Sequence, residues 1–223
     1  MDMYEKIMMD EEYNGYMRKI DTLHFIDDGK WDWEHGMAHA VRVSHYVRQF
    51  LTDLHEDADI IECGRVAGLL HDIGLVEGVK SGHALRSAEK AACYLEKFSL
   101  SQEKKEMIVQ AIADHSNGKN IQSAVGAALY LADKLDMAYH RVISSTIKDS
   151  VNMAFMKVKR VELELTENEL CIDYHTEPDF DMHILTCWKK AILAPLQVSA
   201  YFHRNCVFKK NHQFIDVENI LGE

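Results

Sequence analysis

An imidazole and a carboxylate stand side by side at His71-Asp72. At a helix end such a pair can face one cation, offering a nitrogen and an oxygen together. Mixed sets of this kind suit zinc, manganese, iron, nickel or cobalt. A cation held there can polarise a phosphoryl oxygen and bring the pKa of a bound water towards ~7, which makes hydroxide at neutral pH. By itself the pair is weak evidence, because ordinary helix-terminal hydrogen bonds use the same residues. Asp133 adds weight. It lies amid Ala127, Ala128, Leu129, Leu131 and Ala132, where an unpaired buried carboxylate is costly and a metal is a natural partner. Lys134 is adjacent, but neighbouring residues on a helix do not face each other.

Helices must carry these groups. From His35 to Leu54, the residues His39, Val43, Val47, Phe50 and Leu54 recur three or four apart, on one face. Asp57 or Asp59 starts a second helix, whose Ile61, Val66, Ala67 and Leu70 lead into His71-Asp72. Gly74 and Gly78 punctuate a loop, and Gly82 precedes a helix over about 83–98. Ser101 is an imperfect cap for a helix with Ile108, Ala111, Ile112 and His115 on one face, ended by Asn117-Gly118. An alanine-rich helix over 121–139 contains Asp133.

The period then changes. Val161, Leu163 and Leu165 alternate with charged residues, and after a polar turn so do Leu170, Ile172 and Tyr174, which predicts a β-hairpin. Pro178-Asp179 opens a last helical stretch with Ile184, Leu185, Trp188, Ile192 and Leu196, kinked or broken near Pro195. The expected fold is mainly α. An all-α metal-binding core spans 1–155, and a hairpin with C-terminal helices spans 156–223 and packs on the core or on a partner subunit.

Three segments occur in order: His35-Gly36-Met37-Ala38-His39, Leu70-His71-Asp72-Ile73-Gly74 and Leu131-Ala132-Asp133-Lys134. Over roughly 35–140 this set resembles the HD-domain superfamily of metal-dependent phosphohydrolases. The resemblance implies an HD-type helical bundle in which His39, His71, Asp72 and Asp133 bind metal. His71 and Asp72 would carry catalysis, and a metal-activated water would attack phosphorus. His83 and His115 are similar in position to the extra histidines of dinuclear members, including the bacterial group that splits diadenosine tetraphosphate symmetrically. By that likeness Asp72 bridges two metals, and His83 and His115 hold the second. The plainer alternatives are a helix cap for His115 and a surface position for His83. His35 is a reserve ligand.

Arg86 and Lys134 are candidates to bind substrate phosphate. Asp114 and Asp136 are candidates to orient the imidazoles. Trp31 and Trp33 could wall the cleft, with core packing as the default. Two departures matter. Leu75 follows His-Asp-Ile-Gly where cyclic-dinucleotide phosphodiesterases of the superfamily carry lysine, and no Gly-Tyr-Pro follows. The region 157–223 also has no counterpart in the compact dinucleoside-polyphosphate enzymes.

Composition bounds the rest. The 223 residues are 47% hydrophobic and 27% charged, with a formal net charge of −11. Such acidity argues against nucleic acid as the main partner, though not against a small phosphorylated, nucleotide-like substrate met by a metal. The N-terminal residues lack a basic n-region and an apolar h-region, so no signal peptide is expected, and no membrane partner either. Five scattered cysteines point to reduced thiols in a cytoplasm. The cofactor expected is one or two divalent ions of Fe, Mn, Zn, Ni or Co, with Mg as a harder option, and the expected assembly is a homodimer. Two other functions use the same ligands: a di-iron oxygenase of HD type and a non-catalytic nucleotide sensor.

Overall fold

The computed structural model describes residues 1–27, 31–118, 121–143 and 150–222. Its contacts divide the chain into two compact units: residues 1–25 with 35–133, and residues 26–34 with 134–223. The division falls at Asp133/Lys134 rather than near residue 155, and it gives a short N-proximal stretch to the second unit.

The first unit is helical. It contains α1 (Met3–Met9), α2 (Glu11–Ile20), α3 (Met37–Asp53), α4 (Ala58–Leu70), α5 (His83–Leu95), α6 (Gln102–Asp114) and most of α7 (Ala124–Leu135). The helices predicted from periodicity are present, with ends shifted by a few residues. Two N-terminal helices join them. Asp2 starts α1 through a reciprocal capping box with Glu5. Ser101 caps α6 by accepting from the Lys104 N–H at 3.4 Å.

The pair α3 and α4 forms the spine. α3 buries His39, Ala40, Val43, Ser44, Val47, Phe50 and Leu51. The second half of α4, from Val66 to Leu70, is buried all round, and each Val or Leu there contributes roughly 1.5–3 kcal/mol. Gly68 lets the two backbones touch: a Cβ on it would lie 2.7 Å from Ser44 Cα and 2.9 Å from Ser44 N. α4 ends at Leu70, and a 3₁₀ turn at Ile73–Glu77 follows. Gly74 presses this turn onto α5, its N–H donating to Ser87 Oγ at 2.9 Å.

The second unit carries a small sheet, so the chain is mainly α, as expected, and the label all-α does not apply to it. The hairpin forms as the alternation predicts, with β3 (Val158–Leu165) and β4 (Glu169–Thr176) pairing Val161 with Tyr174, Leu163 with Ile172 and Leu165 with Leu170. Two further strands extend it, β5 (Asn205–Lys210) and β6 (Gln213–Phe214), in the order β3-β4-β5-β6. β5 runs parallel to β4. A parallel partner requires a crossover connection, here a 3₁₀ segment, Met182–Trp188, and a helix, Lys190–Tyr201. The remaining elements are β1 (Ile26–Asp27), β2 (Trp31–Asp32), α8 (Ser150–Phe155), α9 (Lys190–Tyr201) and α10 (Val217–Leu221). β4 is central, and all its residues but the first are buried.

Trp33 belongs to this unit's core and walls no cleft. It is 5% exposed, stacks edge-on with Phe155 and Trp188 at 5.1 and 5.3 Å, and donates to Asn152 Oδ1. The side chain of Trp31 lies outside the described residues.

Pro195 does not end α9. The break falls earlier, at Lys189, between the 3₁₀ segment and the helix. A proline leaves the carbonyl four residues back without its helical donor. That carbonyl, on Ala191, accepts from the Tyr174 phenol at 2.9 Å in a buried position. Tyr174→Phe should therefore destabilise the protein by about 1–3 kcal/mol in urea unfolding. The loss should shrink in a Pro195→Ala background, where a backbone N–H is restored; an equal loss in both backgrounds would refute the pairing.

Candidate metal centre

Helix ends supply most of the centre. His39 lies in the first turn of α3, and His71 and Asp72 follow the last residue of α4. His83 opens α5, His115 caps α6, and Asp133 lies in α7. The last carbonyls of a helix lack intrahelical partners, and two of the rings use them. His71 Nδ1 donates to the Gly68 carbonyl at 2.8 Å and His115 Nδ1 to the Ile112 carbonyl at 2.7 Å. In the loop before α5, His83 Nδ1 donates to the Lys80 carbonyl at 2.9 Å. A carbonyl only accepts, so in each case Nδ1 carries the proton, and in the neutral ring Nε2 is a bare lone pair. The helix cap anticipated for His115 is thus real. It occupies Nδ1 alone and aims Nε2 inward.

Those nitrogens gather on the two sides of Asp72. Near Oδ2 lie His71 Nε2 at 3.3 Å, His39 Nε2 at 3.8 Å and His35 Nδ1 at 2.9 Å. His39 Nε2 is also 3.1 Å from His71 Nε2 and 3.4 Å from Asp133 Oδ1. Near Oδ1 lie His83 Nε2 at 3.3 Å and His115 Nε2 at 3.6 Å, with 3.1 Å between the two nitrogens. Donors held about 2.0–2.2 Å from one ion are separated by comparable spacings. Asp72 Oδ1 is buried and accepts no hydrogen bond among the described residues. His83 and His115 each spend Nδ1 on a carbonyl, so their facing Nε2 atoms and this anionic oxygen need a proton or a metal cation to join them. The residues present fit a divalent ion on each side of Asp72.

Burial sharpens the electrostatics. His39 and His71 are fully buried, and Asp72 and His115 nearly so. Burial would push the Asp72 carboxyl up, but His71, His115 and His35 overcome it and hold the group well below the usual carboxylate range. Burial likewise opposes charge on His71, yet Asp72 and Asp133 prevail and raise its pKa. At His115 burial dominates and lowers the pKa.

The six histidines and aspartates named as ligands in the sequence come together, and His35 joins them. The other candidates are employed elsewhere. Arg86 turns its guanidinium onto its own loop, donating to the Val79 and Ser81 carbonyls and pairing with Glu77. Asp136 accepts from His140 and Arg141, and Asp114 accepts from Gln110, while backbone carbonyls orient the rings of His71, His83 and His115. Lys134 is buried and falls in the second unit. Sequence reasoning missed Lys80, whose ammonium lies 3.3 Å from His35 Nε2. Its place three residues before His83 was the only available signal.

A helical unit that converges six such donors defines a metal-binding helical domain. Residues 36–138 match the model of the HD domain family, which supports HD-domain superfamily membership for that segment. Among solved structures, a predicted HD superfamily hydrolase from an uncultured Thermotogales bacterium aligns at 23% identity. The alignment covers 62% of this chain and 75% of that one, with a TM-score of 0.45. No curated protein matches.

The raised pKa of His71 sets a pH dependence. Asp72 and Asp133 raise the His71 pKa above the usual imidazole range, and a bound ion must displace the proton they favour. Zinc affinity, followed by calorimetric titration, should therefore rise with pH through and beyond roughly 6.5 and level off once His71 is neutral. A flat profile over that range would contradict the protonated pair.

Proposed function

We propose that this protein hydrolyses a phosphate ester or anhydride of a small nucleotide-like molecule, using two divalent transition-metal ions on either side of Asp72. One observation carries the reading: the two oxygens of a single buried carboxylate each face a separate set of imidazole nitrogens, and one of those oxygens has no hydrogen bond. Bound there, such ions supply charge neutralisation at phosphoryl oxygens and a water of lowered pKa.

The chain's own groups set the rest. Asp72 fixes the spacing of the two halves. Three imidazoles are locked by backbone carbonyls with Nε2 inward, so they meet an ion without rearrangement. The carboxylates among the gathered donors are Asp72 and Asp133. Two divalent ions would therefore leave net positive charge, which draws an anionic substrate to a protein whose overall charge is −11. Lys80, beside His35, is placed to meet a phosphate oxygen as a point charge. Arg86, spent on its loop, is not proposed for that task. Among the described residues no helix is long and apolar enough to cross a membrane; the five cysteines are free, which favours a reducing compartment such as the cytoplasm.

Metal analysis of protein purified without added metal, with an anaerobic screen of nucleotides, dinucleotides and sugar phosphates, tests the proposal. Asp72→Ala should lose bound metal and at least about 100-fold in activity while keeping its helical circular dichroism. Wild-type protein that releases no phosphate but consumes oxygen when loaded with iron would be an oxygenase instead. Lys80→Ala should raise KM about tenfold with kcat little changed; a drop confined to kcat would take Lys80 out of substrate binding.

A further inference from the structure

A second cluster of ligating side chains lies in the sheet of the second unit. Asp173 and His175 are two residues apart on β4 and so share a face. Glu162 on β3 is the direct cross-strand partner of Asp173. His212 comes from the turn between β5 and β6. His212 Nδ1 is 2.9 Å from Asp173 Oδ2, His175 Nε2 is 3.7 Å from the same oxygen, and His175 Nε2 is 2.7 Å from Glu162 Oε2. One donor atom from each of Asp173, His175 and His212 lies within 4.8 Å of the other two.

We propose that these residues form a separate metal site for a first-row divalent ion that favours imidazole, of the zinc class, with Glu162 as the fourth donor. Several features favour a cation over a set of ordinary hydrogen bonds. Two carboxylates stand directly opposite each other on one face, an arrangement that destabilises a sheet unless positive charge intervenes. Arg160 pairs with Glu162 from its own strand at 2.8 Å and so balances one of the two carboxylates, while Lys209, the register partner of Asp173 on β5, sits over the Phe214 ring. Asp173 is also held in place, both its oxygens accepting from the His212 backbone N–H at 3.2 and 3.0 Å.

The turn is built to deliver the ring. Asn211 and His212 have φ of +50° and +69°, as in the two-residue hairpin turns that usually take Asn-Gly. A histidine at the second position accepts a strained backbone and stacks its ring 4.8 Å from that of His175. His175 and Asp173 are nearly buried, whereas His212 and Glu162 are exposed enough to move the few tenths of an ångström that coordination requires. Four protein donors close the site, which makes its role structural: it pins the β5–β6 turn to β4 and β3.

Zinc titration of the full chain with elemental analysis tests this. Wild-type protein should bind one equivalent more than His212→Asn, in which asparagine keeps the left-handed turn. An Asp173→Asn/His175→Gln double variant should also lose one equivalent. Asp72→Ala should retain the sheet equivalent, so this site and the HD centre fail or stand separately. Equal zinc stoichiometry and affinity in wild type and both sheet variants would overturn the proposal, as would an Asp72→Ala protein that binds no zinc.

Discussion

A carboxylate that cannot reach water must find its positive charge inside the protein, and Asp72 is such a group. Its two oxygens look in different directions, one towards His39, His71 and His35, the other towards His83 and His115. The first unit is arranged around this demand. Five helices, α3 to α7, must each end, begin or pass where an imidazole or a carboxylate can reach the same small volume. Removing a buried charge's partners costs several kcal/mol, so the arrangement is enforced energetically as well as geometrically.

The rings are aimed by backbone, which is an economical solution. Helix C-termini carry carbonyls that no N–H within the helix can satisfy. At α4 and α6 a histidine Nδ1 takes up one of these carbonyls, three residues back, and the opposite nitrogen is thereby directed into the centre. One hydrogen bond caps the helix, selects the tautomer and fixes the ring. The close approach of α3 and α4 at Gly68 brings His39 within 3.1 Å of His71. A side chain at Gly68 would hold the two helices apart and separate those nitrogens.

The second unit answers a different constraint. β4 is paired on both edges and buried on both faces, so every polar group on it needs a partner. Tyr174 meets the carbonyl that Pro195 leaves without a donor, and Asp173 takes the backbone N–H of the β5–β6 turn. A proline within a helix and a histidine in a left-handed turn are each unfavourable locally. Each is accommodated by a residue of the same central strand.

The sequence alone determined the helical framework and the ligand types. The 3.6-residue period of α3 to α7, the glycine punctuation around residues 74–82 and the ordered His, His-Asp and Asp segments are local features, legible because helix hydrogen bonds and capping join near neighbours. The hairpin was legible for the same reason, since β3 and β4 are linked by a short turn. What only the tertiary structure decided involves residues far apart in the chain. β5 was missed because its partner in a parallel pair lies across a crossover, so no local alternation marks it. The partners that Arg86 and Asp136 take were not legible, because long or flexible polar side chains choose among several partners, and that choice follows packing. Lys80 beside His35, the two-sided placement of Asp72 and the gathering of Glu162, Asp173, His175 and His212 all depend on backbone segments brought together by the core, which no spacing along the chain encodes.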